Sequence, residues 1–296
     1  VAEGAESMYW NPAGLQGAAS PEASYAHAEM NEFFRLDHLA YAHPVEALGG
    51  SLGAAVTLWT MDAIDARTAS NVQSGKFAPH SEAFSIGYAR TFWQGSELPA
   101  RDRELFGEGY DVPFSHRPFR DDDPFWQGSM RAGVAVKFVN ETIRARSASS
   151  FAVDGGVQYY PFQIPEGILS FAFRNLGSRP VFITDRGSLP VEVAFGAAYD
   201  ARSERRRILP AAEIIVPYYG DPALRLGVEY GVKAGGSAEV FFRAGYKTVS
   251  APHLNPVSGA TVGVGFRINR FHADVGFQPM AELENGAFAN ADEQRM

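Results

Sequence analysis

Charged residues recur at alternate positions along several short segments of this chain. Arg225 and Glu229 lie in one such segment, Glu239 and Arg243 in the next, and Asp274 in a later one. Charges of both signs placed this way can line a path for a polar solute. They can also pair across neighbouring strands and tie an interior together, because a charge taken out of water needs a partner. The pairing reading is the stronger, with Glu229 beside Arg243 or Glu239 beside Arg225 as the expected cross-strand pair, register being open at the level of sequence. Arg131, Lys137, Asp154, Glu192, Glu213, Lys233, Lys247 and Arg267 belong to the same inward-facing set.

Other chemistry is sparse. Asp121, Asp122 and Asp123 cluster oxygens of the kind that hard cations take, but the run lacks the turn glycine and terminal glutamate of a calcium loop. A solvated acidic stretch is the better reading. The seven histidines, His27, His38, His43, His80, His116, His253 and His272, are scattered without ligand spacing. No serine sits in a Gly-x-Ser-x-Gly frame, and the absence of cysteine removes disulfides, thiol catalysis and Cys-based zinc sites together. No catalytic residue, metal site or cofactor is expected, and the chain reads as a non-enzyme.

The elements that carry these residues follow from periodicity. Leu224, Leu226, Val228, Tyr230 and Val232 alternate with Arg225, Gly227, Glu229, Gly231 and Lys233. Val240, Phe242, Ala244 and Tyr246 repeat the pattern in the next segment. Period-two alternation puts one set on one sheet face and the second set on the other. Similar alternation recurs along the chain, giving about fourteen strands, an even number, as single-chain bacterial barrels have. No apolar run approaches the roughly 20 residues of a membrane-spanning helix. A transmembrane strand buries only alternate residues in lipid, so the slightly negative mean hydropathy does not argue against a barrel. The fold expected is all-β, a transmembrane antiparallel β-barrel. With 296 residues, it is read as a single barrel domain over 21–296.

The net charge of −8, with no basic block beyond Arg205, Arg206 and Arg207, gives no phosphate-tracking surface, so nucleic acid is excluded as a partner. Long connections are expected over 61–81, 144–150 and 177–189, and short turns at the opposite strand ends. Trp59, Phe92, Trp93, Tyr159, Tyr160, Tyr218 and Tyr219 fall near strand ends, where amphipathic rings anchor at the headgroups. An insert over 94–128 interrupts the alternation. It crowds Phe106, Tyr110, Phe114, Phe119, Phe125 and Trp126 outside the wall, a density of aromatics that marks an interface or a self-packed subdomain. By strand parity it leaves on the periplasmic side, either as a docking element for a periplasmic partner or as a loop folded over the barrel mouth.

The stretch before the first strand is different. In Glu6-Ser7-Met8-Tyr9-Trp10-Asn11-Pro12-Ala13-Gly14-Leu15, Asn-Pro followed by Gly forces a turn. A compact plug preceding many strands is how a barrel with an N-terminal hatch is built, and residues 1–20 are read as that hatch, truncated at its start, with Asn11, Pro12, Ala13 and Gly14 at its centre.

That stretch resembles the start of the PorV/PorQ family of outer-membrane barrels, kin of the FadL-type transporters. The resemblance continues in Tyr88-Ala89-Arg90, in Arg174-Asn175-Leu176-Gly177, in Gly227-Val228-Glu229-Tyr230 with Arg243-Ala244-Gly245-Tyr246-Lys247, and in the end pattern Asp274, Phe277, Pro279, Glu282, Leu283 and Asn285. It spans nearly the whole chain apart from the insert. Two departures stand out: the insert itself, and a polar stretch over 287–296 where the family closes on an alternating strand.

The resemblance implies a bacterial outer-membrane location and a non-enzymatic subunit of a type IX-like protein secretion complex. Such a subunit would contact membrane lipid and other secretion or envelope proteins, and would carry bound lipid or detergent. The alternative it implies is a FadL-like transporter of hydrophobic small molecules, gated by the hatch.

Overall fold

The computed structural model describes residues 2–30, 33–93, 128–182, 185–248 and 259–279. Alternation over these residues becomes strand almost everywhere. In order they are β1 (Glu22–Met30), β2 (Phe34–Val45), β3 (Gly50–Met61), β4 (Ile64–Arg67), β5 (Gln73–Phe77), β6 (His80–Trp93), β7 (Ser129–Ile143), β8 (Arg146–Tyr160), β9 (Gly167–Gly177), β10 (Val181–Phe182) and β11 (Asp185–Arg186). They continue with β12 (Glu192–Tyr199), β13 (Ala201–Arg202), β14 (Arg206–Pro217), β15 (Ala223–Gly235), β16 (Ala238–Lys247), β17 (Ala260–Ile268) and β18 (Phe271–Phe277). One 14-stranded sheet runs β1-β2-β3-β6-β7-β8-β9-β12-β14-β15-β16-β17-β18, with β13 attached to β14. The strands follow chain order as an antiparallel meander, and the chain divides into two compact units, Val1–Val193 and Ala194–Met296.

The expected strand count is met, though the fourteenth strand is the two-residue β13. The polar stretch 287–296 lies outside the described residues. Three local expectations are corrected. The connection over 61–81 is not all loop, because β4 and β5 form a hairpin inside it. The loop expected over 144–150 is a tight turn, with Arg144 at φ 57° and Ile143 already opposite Arg146. Leu48, which alternation with Leu52, Ala54, Val56 and Leu58 would set on the apolar face of the same strand, instead belongs to a 3-10 turn, Glu46–Leu48, that closes on Gly49 at φ 59° before β3 starts. In the first two cases a turn residue with positive φ, Asn71 or Arg144, lets the ladder resume sooner than hydrophobic pattern alone suggests, whereas at Gly49 it delays the start of β3.

In the first unit one sheet face is apolar and exposed, carrying Leu39, Phe84, Ile86, Val136 and Phe151. On β6 this band lies between Glu82 and Arg90, about 26 Å of strand at about 3.3 Å per residue, or about 20 Å of height at the usual strand tilt of about 40°, on the scale of the apolar band of outer-membrane barrels. The opposite face is lined by Ala40, Ala42, Ala55, Ala89 and Ala135, all buried. In the second unit Ile208, Leu226, Phe242, Val264 and Val275 form the exposed apolar face. Water would penalise so much exposed apolar surface, whereas hydrocarbon would not.

Candidate functional site

The segment before β1 folds into a 3-10 turn (Gly4–Glu6), a single helical turn α1 (Ser7–Trp10) and a second 3-10 turn (Pro12–Gly17). Asn11 divides α1 from the second 3-10 turn. As the residue before a proline it is extended, at φ −159° and ψ 105°. Its side-chain oxygen accepts from Ala13 N at 3.0 Å, capping the turn that Pro12 opens.

Asn11, Pro12, Ala13, Gly14 and Leu15 are all buried, and what buries them is a patch without side chains. A Cβ on Gly53 would stand 2.6 Å from Met8 Sδ and 2.7 Å from a Leu15 methyl, and one on Gly133 would stand 2.6 Å from Ala13 N. A Cβ on Gly156 would run into the Asn11 side chain. Gly53 pairs with Gly87 across β3 and β6, and Gly133 with Gly156 across β7 and β8. The four glycines therefore form a recessed seat, and Met8 and Leu15 fill it among Ala5, Ala18, Ala42 and Ala89. Complete burial of each of these two side chains contributes about 1.5–3 kcal/mol.

Polar contacts pin the segment at its edges. Asn11 Nδ2 donates to Phe171 O at 3.2 Å, beside Val157 O at 3.4 Å. Arg131 Nη1 lies 3.0 Å from Glu3 Oε1 and 2.8 Å from the Tyr160 hydroxyl, which itself donates to Glu3. Gln158, fully buried, donates to Ala2 O at 3.0 Å. Glu22 Oε1 accepts from Ala5 N. On the other flank Arg174 donates through Nη1 to Trp10 O at 2.8 Å and through Nε to Glu192 at 2.7 Å.

The second unit holds the charges singled out in the sequence. Glu229 lies opposite Arg243 in the β15–β16 register and accepts from Arg243 Nε at 2.7 Å. Its other oxygen takes Arg207 Nη1 at 2.8 Å, and Arg207 continues to Asp200 at 2.7 Å. Arg243 also pairs with Asp274, reaching over β17 at Gly265, where any side chain would collide with both groups. Asp200, Arg207, Glu229, Arg243 and Asp274 thus form one continuous ladder of alternating charge. The pairing of Glu239 with Arg225 is not formed. Register sets Glu239 against Lys233 and Arg267, with Arg267 Nη1 at 3.2 Å, while Arg225 faces Glu213 at 3.3 Å.

Asp200 sits in the turn after β12. Burial alone would raise its carboxyl, but hydrogen bonds from Arg207 and Arg202 outweigh that and hold it below the ordinary aspartate value. Phe106, Tyr110, Phe114, Phe119, Phe125 and Trp126 of the insert lie outside the described residues. Among the described residues no group of three or more acidic, histidine or cysteine side chains is placed to hold a metal.

Arg174 was legible only within a motif fragment, and the four seat glycines carried no signal that set them apart as a site. Arg174-Asn175-Leu176-Gly177 marked the right place, but nothing in its spacing pointed to the N-terminal segment.

No family model matches the chain, and no curated protein matches it in sequence. Solved structures do match. One is the TodX deltaS2S3 mutant monoaromatic hydrocarbon channel, at 8% identity and TM-score 0.55, covering 95% of this chain and 90% of that one. Another is the Pseudomonas putida toluene transporter TodX, at 8% identity and TM-score 0.50, covering 88% of this chain and 83% of that one. At such low identity the likeness is one of fold alone: this chain shares the antiparallel, many-stranded architecture of those two channels.

Proposed function

We propose that this protein is a non-enzymatic outer-membrane channel for small hydrophobic molecules, with residues 2–18 as its hatch. The observation that carries this reading is the glycine seat. A short segment fills a recess left by Gly53, Gly87, Gly133 and Gly156, packing two large apolar side chains and otherwise held by edge hydrogen bonds. A filling of that kind can leave without unravelling a strand. The fold likeness to hydrocarbon channels supports the same class of cargo. The secretion-subunit reading drew on the aromatic insert and on motif resemblance, and no feature of the described residues favours it over a channel.

The chain has no cysteine, so a disulfide can lock the hatch cleanly. Asn11→Cys with Gly156→Cys places one sulfur where the Asn11 side chain now meets β8. Uptake of labelled toluene is then followed in cells that depend on this protein for it. Uptake should fall at least tenfold on oxidation and return on reduction. Equal uptake in the locked and reduced forms would end the hatch reading.

A further inference from the structure

The connection into β12 is gripped at its end by two consecutive residues of β9. Asn175 Nδ2 donates to Pro190 O at 2.9 Å, and Arg174 Nε donates to Glu192 at 2.7 Å. The same Arg174 holds Trp10 O of the N-terminal segment through Nη1. Its guanidinium also lies 5.6 Å from the centre of the Trp10 ring. A displacement of 190–192 must therefore be felt at Trp10.

This grip depends on a bulge. Val153 pairs with Leu176 and Gly155 with Phe173, so Arg174 and Asn175 together oppose the single residue Asp154. Asn175 takes the left-handed φ of 60° that such an extra residue permits, and asparagine adopts it more readily than most side chains. The bulge is held from below. Asp154 Oδ1 accepts from Asn175 N at 2.8 Å, and Lys137 Nζ contacts Asp154 Oδ2 at 2.6 Å and Asn175 Oδ1 at 2.8 Å. Asp154 is 1% exposed and Arg174 4%, so this is a dry, charged core in which each partner is needed. The hold on the segment is nonetheless incomplete. Arg174 Nη2 is buried and has no partner among the described residues, a cost that a rearrangement of the guanidinium can relieve.

We infer that the β9 bulge is the release latch of the hatch: Arg174 and Asn175 couple residues 187–192 to the N-terminal segment, so that moving 187–192 frees Trp10. This rests on the hatch reading and assigns its control to a named pair of residues. Within 187–192 Leu189 is buried and Gly187 N is bonded to Pro180 O at 2.8 Å. The segment is an anchored lever rather than a slack loop.

The test uses the full chain in lipid vesicles, with single cysteines in an otherwise cysteine-free protein. Ser7→Cys reports on the buried hatch, and Ala211→Cys reports on the charged face of the second unit; each is followed by its rate of maleimide labelling. Arg174→Lys keeps the charge but cannot bridge Glu192 and Trp10 O together. It should speed labelling at position 7 about tenfold, the equivalent of one charge-assisted hydrogen bond, and leave position 211 unchanged. Asn175→Gly keeps the backbone conformation and loses the side-chain links to Pro190 O and Lys137 Nζ while leaving both Arg174 contacts in place, and should give a smaller rise at position 7.

If the two residues act in one path, the double variant labels no faster than Arg174→Lys alone. An unchanged rate at position 7, a parallel rise at position 211, or a double variant equal to the product of the singles would each overturn the coupling. Labelling is read without cargo, so failure here is distinct from failure of the disulfide-lock uptake test.

Discussion

Both units carry glycines on the face opposite their exposed apolar band, and they use them in opposite ways. In the first unit Gly53, Gly87, Gly133 and Gly156 make room for another part of the chain, and apolar atoms of the N-terminal segment fill the space. In the second unit Gly265 makes room for the Arg243–Asp274 pair, while a Cβ on Gly227 or Gly276 would find its nearest neighbour only at 3.8 Å. The first face is filled by apolar side chains of the N-terminal segment, and the second is laced by charges anchored in the strands themselves. A missing side chain means little until one sees what occupies its place.

This contrast can be broken deliberately, and the largest effect is expected in the seat. Gly133→Val would push a branched side chain into Pro12 and Ala13 backbone, which cannot yield as a flexible side chain can. The N-terminal segment should be expelled, with a penalty of about 1–3 kcal/mol, and limited proteolysis would cut within 2–18 while the strands survive. Retention of a protected segment would mean that the seat is more compliant than its geometry indicates.

A second, smaller effect belongs to the ladder. Glu229→Gln leaves Arg207 and Arg243 without their shared carboxylate. The ladder is partly solvated, so the loss should be about 1–2 kcal/mol, well under the 3–5 kcal/mol of a fully buried pair. A lowered denaturation midpoint in detergent, with unchanged labelling of Ser7→Cys, would localise the damage to the second unit. The smallest effect sharpens the comparison most. Gly227→Ala meets only an ordinary contact with Ala244 O at 3.8 Å and should alter stability by less than about 0.5 kcal/mol, whereas a measurable loss would show that this face is filled as the first one is.

Much of the fold could be read from the chain alone. Alternation such as Leu224 to Val232 against Arg225 to Lys233 has one physical solution, a strand with one apolar and one polar face, and the absence of a long apolar run left strands as the only way through hydrocarbon. Asn-Pro-Ala-Gly likewise specified a capped turn rather than a strand. Residues such as Glu229 and Arg243 were legible as partners because they fall in adjacent, fault-free strands.

Register was not legible. Glu239 finds Arg267 instead of Arg225 because a turn at Gly235 and Gly236 sets which residues lie opposite, and a period-two pattern is unchanged by a shift of two. Nor could the sequence show that four glycines separated by more than a hundred residues share one patch, or that Arg174 reaches Trp10. Periodicity assigns each residue to a face of its own strand. Which distant residues meet on that face is decided only when the strands are set side by side and the N-terminal segment comes to rest on them.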